Sequence, residues 1–354
     1  MTRRHGDSDV WQFDTSPCHR VVITALPALH EAVQAARITV ATDEPLARHT
    51  TFHIGGPADL YATASNIAQL ERLAQLAAVH ALPLTLLGGG SNVLVSDAGV
   101  RGLVIANQAR AIGWTIADLR FDSTGLTLPQ ADVTVASGAA LAGLARWTIK
   151  QGWSGLEWAV SVPGTVGGAI IGNAGAHGGD IAGNLAWVLT TDPSAGRAVL
   201  TAAELEFAYR SSRLKRLIAA GGTPPVVLAA GFKLARGDAA AMTARADGFL
   251  ARRRTSQPTE PSAGSIFRNP PGDYAGRLIE ASGLKGMRIG GAQVSPRHAN
   301  FIVNVENATA ADVLALIDLI RRRVFEQSGV ELIPEIVFMG EWPTQPPYAP
   351  LHGM

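Results

Sequence analysis

LGGGSNVLV (residues 87–95) is the first of two glycine-rich segments that decide the fold, and VPGTVGGAIIGNAGAHGG (residues 162–179) is the second. Apolar, β-prone residues flank each segment. Glycine allows a backbone to approach a ligand that a Cβ atom would obstruct. Two such segments in one chain predict a cradle for a phosphate-bearing cofactor, and the alternative is that these glycines only mark tight turns.

Neither segment fits the common nucleotide-binding fingerprints. The first lacks the third glycine of G-x-G-x-x-G and has no long helix behind it. The chain also contains no G-x-x-x-x-G-K-[ST] motif. The sequence therefore disfavours both a Rossmann dinucleotide site and a P-loop.

The composition narrows the possible partners. The chain has 354 residues, enough for two or three domains, and its net charge of +1 leaves no basic stripe for a nucleic acid. The lone cysteine, Cys18, excludes an internal disulfide framework and a thiolate metal site. We find no secretory signal and no apolar run of about 18 residues, so no membrane span is expected. These features predict a cytoplasmic protein with a small-molecule partner and no metal. A monomer is expected, although nothing in the composition determines the oligomeric state.

Strand and helix patterns divide the chain into three α/β units with a loosely held extension at one end and a tail at the other. The extension covers residues 1–22, the three units cover 23–107, 108–236 and 237–342, and the tail covers 343–354.

The first unit contains two predicted helices and three predicted strands. A short helix is predicted around residues 26–33, and Asn66 is predicted to cap a second helix. Strands are predicted at Thr51–Ile54, ending in Gly55-Gly56-Pro57, and at 83–87 and 102–105.

The second unit combines a strand at 132–136, a helix over Leu141–Gln151 closed by Gly152, the second glycine-rich segment, and a returning strand at 225–230. The segment is expected to be a loop.

The third unit begins with an alanine-rich helix over 238–254. The helix ends with three arginines, at 252–254. They could be a solvated helix end, where positive charge is favourable, or they could bind a diphosphate. A strand follows at 301–305, and Thr309 with Asp312 resembles a capping box for a helix that ends at Gly329.

Several motifs resemble, in the same order, those of the UDP-N-acetylenolpyruvoylglucosamine reductase family. The resemblance covers about residues 40–342. The chain is similar to the shorter type of that family, because Pro271 continues directly from the serine motif without a long insertion. The matching motifs are Thr51–Ala58, Gly88–Val95, Pro163–Gly179, Tyr209–Ser212, Gly264–Pro270 and Pro334–Ile336.

The resemblance implies an α+β fold in which two α/β subdomains form a vanillyl-alcohol-oxidase-type (PCMH) FAD-binding domain, followed by a C-terminal α/β substrate domain. It implies FAD and NADPH as cofactors. NADPH reduces the flavin, which then reduces the enolpyruvyl group of UDP-N-acetylenolpyruvoylglucosamine to give UDP-N-acetylmuramate for peptidoglycan synthesis.

The resemblance also implies the site residues. The catalytic residues are Ser265, Arg210 and Glu335. The cofactor-binding residues are Gly88, Gly89, Gly90, Ser91, Asn92, Val93, Leu94, Pro163, Gly164, Thr165, Gly167, Gly168, Asn173, Ala174 and Gly175. The substrate-binding residues are Tyr209, Arg253, Arg268 and Asn269.

The reaction chemistry agrees with the three catalytic assignments. Hydride addition to the vinyl group leaves negative charge that spreads into the substrate carboxylate, so a fixed positive charge such as Arg210 lowers the barrier. An ionised Glu335 would repel that charge, and we therefore expect it to be protonated by burial or to act through a water. Ser265 matches the proton donor to the carbanion.

Other interpretations of these residues remain open. Arg210 could be a surface ion-pair residue, Ser265 a turn hydroxyl, and Glu335 a solvent-facing acid on a half-buried strand. With the same fold, the chain could be a flavin oxidase of an alcohol or sugar, or a noncatalytic flavin-binding or nucleotide-sugar-binding module.

The chain departs from the family pattern at three positions. His177 stands where the family usually has tyrosine, Arg268 replaces lysine, and Leu214 often corresponds to phenylalanine. Arg268 keeps the positive charge, although its guanidinium would hold a phosphate differently. His177 could contact the flavin or substrate, fill a tyrosine-sized gap, or tether the flavin covalently.

Overall fold

The computed structural model describes Val33 and residues 38–113 and 131–342. The predicted extension, the predicted tail and all of the predicted first helix except Val33 lie outside the described residues; Val33 itself is helical and buried. None of the helices in the described ranges has the length and apolar character needed to cross a membrane.

A four-stranded sheet and a 13-residue helix form most of the described part of the first unit. Strand order is β1-β2-β5-β3, with β1 antiparallel to β2 and the other pairs parallel. Helix α1 begins as predicted at Asn66, whose side chain accepts the Gln69 backbone N–H, and it buries an apolar face against the sheet. The elements are β1 Val40–Pro45, β2 Pro57–Ala64, α1 Ile67–Val79, β3 Leu84–Leu87, β4 Val93–Val95 and β5 Val100–Asn107.

The predicted strand at Thr51–Ile54 is wrong. This segment is a turn, in which the His53 N–H donates to the Thr50 carbonyl and the Thr50 hydroxyl donates to the Ile54 carbonyl. His53 has a left-handed φ of +55°, which is incompatible with a strand. The apolar residues of the segment instead anchor the core of the third unit, and the strand begins after the glycines, at Pro57.

The second unit is built on an antiparallel sheet in the order β12-β11-β13-β7-β6. Helix α2 ends at Lys150, and Gly152 follows it with a φ of +74°. Helix α1 of the first unit shares a core with Leu228 and Ala229 of β13, so it lies between the two sheets. The elements are β6 Ile112–Gly113, β7 Val133–Ala136, α2 Leu141–Lys150, β8 Trp153–Ser154, α3 Val166–Gly172, β9 Gly175–Ala176, β10 Gly179–Asp180, β11 Leu185–Asp192, β12 Gly196–Thr201, α4 Arg213–Ala219, β13 Val226–Phe232 and β14 Ala235–Arg236.

The second glycine-rich segment is not simply the loop that we expected. It contains helix α3, which Thr165 caps and which ends at Asn173 with a left-handed φ of +43°. Ala169 and Ile170 on this helix are buried in the second core. Apolar contacts therefore compensate for the low helix propensity of its glycines.

The third unit is an antiparallel sheet in the order β15-β18-β17-β16 with two helices. Helix α7 has the predicted Thr309–Asp312 capping box and ends at Gly329, which is left-handed. The elements from here to the end of the described chain are α5 Ala239–Ser256, β15 Ser262–Ser265, α6 Ala275–Ala281, β16 Arg288–Ile289, β17 Ala292–Val294, β18 Phe301–Asn304, α7 Ala310–Ser328 and β19 Val337–Met339.

Two connections tie the units together. Helix α5 buries Met242 and Ala246 in the second core, so the predicted boundary at residue 237 assigns to the third unit a helix that packs on the second. Strand β19 pairs in parallel with β4 of the first unit. The end of the third unit is thereby fixed beside the first glycine-rich segment.

Candidate active site

The two glycine-rich segments lie against each other. A Cβ atom on Gly89 would be 3.0 Å from Gly164 Cα, and one on Gly164, whose φ is +101°, would be 2.8 Å from Ser91 Oγ. A Cβ atom on Gly88 would overlap Thr165. Glycine is therefore needed at these positions for contact between the segments, which the sequence analysis did not predict.

Part of this glycine surface remains open. Gly88, Gly89, Pro163 and Gly168 are exposed. On Gly168, an added Cβ atom would meet only Thr165 Oγ1, at an ordinary 3.6 Å. The segments thus present backbone without side chains at the junction of the first two units, and this surface fits a flat, phosphate-bearing group such as FAD.

Two residues predicted to bind the cofactor use their side chains within the protein. The Asn173 amide donates to Asp180 Oδ2 at 3.2 Å and to the Ala208 carbonyl at 3.0 Å, and its oxygen accepts the Ala182 N–H. Leu94 is fully buried in the third core. The Asn173 side chain fixes the Ala208 backbone, immediately before Tyr209-Arg210.

Arg210 lies at the tip of a tight turn closed by two backbone hydrogen bonds between Ala208 and Ser211. Its φ is +53°, in the left-handed region that a β-carbon disfavours. The Tyr209 side chain beside it is 58% exposed. A non-glycine residue held in this conformation suggests that its side chain is needed at this point.

The Arg210 guanidinium joins the second glycine-rich segment to Glu335. Its Nη2 donates to the Gly175 carbonyl at 2.7 Å, and its Nε lies 2.8 Å from Glu335 Oε1 as an ion-pair contact. Burial raises the pKa of Glu335, opposed by the nearby charges of Arg210, Lys215 and Arg268. The carboxyl is therefore easier to protonate than an exposed glutamate.

Glu335 also connects the serine motif to the first glycine-rich segment. Its backbone N–H donates to the Ile266 carbonyl at 2.7 Å, and its carbonyl accepts from Asn92 Nδ2 at 3.4 Å. Ser265 precedes Ile266 at the end of β15, and Gly264 before it faces the Ser91 carbonyl. The three predicted catalytic residues are thus brought to one region bordering the glycine surface.

A cavity of about 400 Å³ adjoins Ser265. Burial, together with nearby Lys285, lowers the pKa of His298 in its wall. Tyr274 at its rim is 70% exposed. The residues that line the cavity are Ser265, Asn269, Tyr274, Gly276, Arg277, Glu280, Lys285, Arg297, His298, Ala299 and Asn300.

The predicted substrate-binding residues do not all lie together. Asn269 lines the cavity, and Arg268 contributes to the electrostatic surroundings of Glu335. Arg253 instead donates to the Ser161 carbonyl. The imidazole of His177 stacks on Phe249 at 4.2 Å and lies 3.1 Å from Ser161 Oγ. Arg253 therefore belongs to a cluster on the second glycine-rich segment.

Lys215 lies beside Arg210 and Glu335 and was not predicted from the sequence. It is half-buried, and its Nζ donates to the Arg210 carbonyl at 3.2 Å. Ser212 caps helix α4 by accepting the Lys215 N–H, so this lysine lies in the first turn. Arg213 lies in the same first turn, so no local signal in the sequence distinguishes Lys215 from its basic neighbour.

Comparison with known proteins agrees with this arrangement. Residues 257–339 match the UDP-N-acetylenolpyruvoylglucosamine reductase C-terminal domain, and residues 58–193 match an FAD binding domain. The UDP-N-acetylenolpyruvoylglucosamine reductase of Chloroflexus aggregans is 45% identical over 299 residues, covering 84% of this chain and 97% of that protein. The Heliobacterium modesticaldum enzyme of the same name is 46% identical over 300 residues, covering 84% and 90%.

A solved structure supports the same assignment. The reductase (MurB) from Thermus caldophilus matches with a TM-score of 0.67 at 34% identity, covering 85% of this chain and 98% of that chain. The predicted fold class, a PCMH-type FAD-binding domain followed by a C-terminal α/β domain, is confirmed. The chain belongs to the UDP-N-acetylenolpyruvoylglucosamine reductase family of flavin oxidoreductases.

Proposed function

We propose that this chain uses NADPH and FAD to reduce the enolpyruvyl group of UDP-N-acetylenolpyruvoylglucosamine to UDP-N-acetylmuramate, a step in peptidoglycan precursor synthesis. One observation carries the proposal. The Arg210 guanidinium lies 2.8 Å from the Glu335 carboxyl, and the Glu335 backbone N–H donates to the carbonyl of Ile266, the residue after Ser265. This set matches what protonation of a carboxylate-stabilised carbanion requires.

The glycine surface is the proposed FAD site. Gly88 and Gly89 from the first segment and Gly168 from the second offer exposed backbone there. Bound FAD would supply the hydride chemistry, accepting hydride from NADPH and delivering it to the vinyl carbon. The protein groups contribute binding, orientation and charge.

The three catalytic side chains have separate proposed roles. Arg210 faces the carboxylate of the substrate with a fixed positive charge. Protonated Glu335, favoured by burial, donates a hydrogen bond to the same developing charge without repelling it. Ser265 supplies the proton that completes reduction of the double bond.

The cavity beside Ser265 is the proposed site for the nucleotide part of the substrate. Its volume of about 400 Å³ is within the usual range for small-molecule pockets. Arg297 donates to the main-chain carbonyls of Arg254 and Gln257, so these bonds leave its positive charge available for a diphosphate. Tyr274 provides an exposed ring for stacking against a base.

An anaerobic reoxidation experiment tests the proposed function. FAD-loaded protein is reduced with one equivalent of NADPH and mixed with UDP-N-acetylenolpyruvoylglucosamine while flavin absorbance is followed. We expect rapid reoxidation and formation of UDP-N-acetylmuramate, whereas UDP-N-acetylglucosamine, which lacks the enolpyruvyl group, should leave the flavin reduced. Reoxidation only by oxygen, with turnover of an alcohol or sugar, would instead identify an oxidase.

Three further expectations accompany this proposal. The protein is cytoplasmic, it acts as a monomer, and its substrate domain closes over the sugar nucleotide. Size-exclusion chromatography with light scattering tests the monomeric state.

A further inference from the structure

Lys215 is held within the charged cluster around Glu335. Its surroundings include Arg210, Arg268 and Glu335, which come from three separate parts of the chain. Burial is the main cause that lowers the pKa of Lys215 to about 8. The like charges of Arg268 and Arg210 also lower this pKa, and the attraction of Glu335 opposes the change. Three cations thus face one carboxyl group, an arrangement that favours an incoming anion.

The hydrogen bond from Lys215 acts on the main chain of Arg210. The Arg210 backbone is left-handed, so the turn requires support from its surroundings. The Ala208–Ser211 hydrogen bonds hold the ends of the turn, and Asn173 holds Ala208. Lys215 Nζ, 3.2 Å from the Arg210 carbonyl, is the contact that holds the tip itself.

We propose that Lys215 is a positioning residue that fixes the Arg210 main chain so that its guanidinium faces Glu335 and the substrate carboxylate. The inference rests on the proposed function. Lys215 acts through Arg210, and its charge adds to the potential that receives the anionic substrate. Loss of Lys215 should therefore impair reduction of the enolpyruvyl group more than reduction of the flavin by NADPH.

Three variants separate positioning from general support of the fold. Lys215→Met removes both charge and donor while keeping an apolar stem of similar length. Lys215→Arg keeps both the charge and the donors. Lys150→Met is the matched control, since Lys150 is an exposed lysine at the end of α2.

Both half-reactions are measured by anaerobic stopped-flow on FAD-loaded protein. For Lys215→Met we expect flavin reduction by NADPH to stay within about threefold of the parent. We expect reoxidation by UDP-N-acetylenolpyruvoylglucosamine to fall by up to about 100-fold, the loss typical of a reacting group displaced by about 1 Å. Lys215→Arg should restore most of the rate, and Lys150→Met should match the parent in both steps.

The pH profile supplies a readout that a structural role would not change. The second-order rate constant for reoxidation reports the free enzyme. In the parent it should fall as pH rises through about 8, because Lys215 then loses its charge. Lys215→Met should lack this limb, and Lys215→Arg should keep its rate at pH 9. If Lys215→Met fails to fold, this comparison of parent and Lys215→Arg decides.

The outcomes distinguish the two proposals. A parent enzyme that the sugar nucleotide does not reoxidise overturns the proposed function and this inference together. An active parent with an equally active Lys215→Met overturns the inference alone. Equal losses in both half-reactions, or the same alkaline limb in Lys215→Arg as in the parent, also overturn it.

Discussion

Replacing Gly168 with alanine separates cofactor contact from protein packing. Gly168 is exposed, lies in helix α3, and has only Thr165 Oγ1 within reach of an added Cβ atom, at 3.6 Å. Because the protein itself has room for the methyl group, Gly168→Ala should not destabilise the apoprotein. Alanine is favoured over glycine in helices by up to about 1 kcal/mol, so a small gain in stability is expected.

Although the substitution should slightly stabilise the apoprotein, it should weaken FAD binding. If the backbone of α3 lies against FAD, the new methyl group overpacks that contact. Overpacking of this kind costs about 1–3 kcal/mol, which corresponds to a dissociation constant about 5- to 150-fold higher. Without FAD, the variant should therefore have a melting temperature equal to or above that of the parent apoprotein, and it should bind FAD more weakly than the parent.

Fluorescence titration of apoprotein with FAD measures the affinity, and differential scanning calorimetry measures the apoprotein melting temperature. Gly248→Ala is the matched control, because Gly248 lies in helix α5 and an added Cβ atom there meets nothing within 4 Å. It should show the same gain in stability with unchanged FAD affinity. Equal FAD affinity in Gly168→Ala and parent would refute the placement of FAD against α3.

Three other outcomes are expected. Ser265→Ala should reduce its flavin with NADPH at close to the parent rate but reoxidise with the sugar nucleotide about 10²- to 10⁴-fold more slowly, and equal loss of both steps in stopped-flow would make Ser265 structural. Burial raises the pKa of Glu335, so the folded state retains a proton that the unfolded chain has released and stability falls as pH rises above the unfolded pKa. Glu335→Gln should therefore melt higher than the parent at pH 7 by a margin that shrinks toward pH 4.5, and a constant margin by calorimetry contradicts this. Acid precipitation should release all the FAD into the supernatant, whereas yellow precipitated protein would indicate a covalent link at a residue such as His177.

Local signals in the sequence predicted the helix ends well. Asn66, the Thr309–Asp312 capping box and Gly329 act through hydrogen bonds and backbone preferences within a few residues, and each is found as expected. The prediction of a strand at Thr51–Ile54 failed because the turn at Thr50 and burial in the third core override the β propensity of this segment. That competition depends on residues far away in the chain.

In the candidate site, too, contacts between distant parts of the chain could not be predicted from the sequence. The resemblance predicted Arg210, Ser265 and Glu335 as catalytic residues, and the structure brings them to one region. It did not predict Lys215, since the role proposed for this lysine depends on its contact with the folded turn at Arg210. Contact between the two glycine-rich segments also required the tertiary structure, because it joins parts of the chain that no local pattern connects.

The parallel pairing of β4 with β19 has a consequence for the order of events during synthesis. β4 is the last part of the first glycine-rich segment, and its partner strand is formed by residues 337–339. A nascent chain that has completed the first two units still has β4 without this partner, and Glu335 has not yet reached Arg210. Contacts of such long sequence separation form late because their loop-closure entropy is large. The proposed catalytic set is thus complete only after Glu335 has been synthesised and can meet Arg210, and a chain truncated before Pro334 lacks both this carboxyl and the strand that pairs with β4.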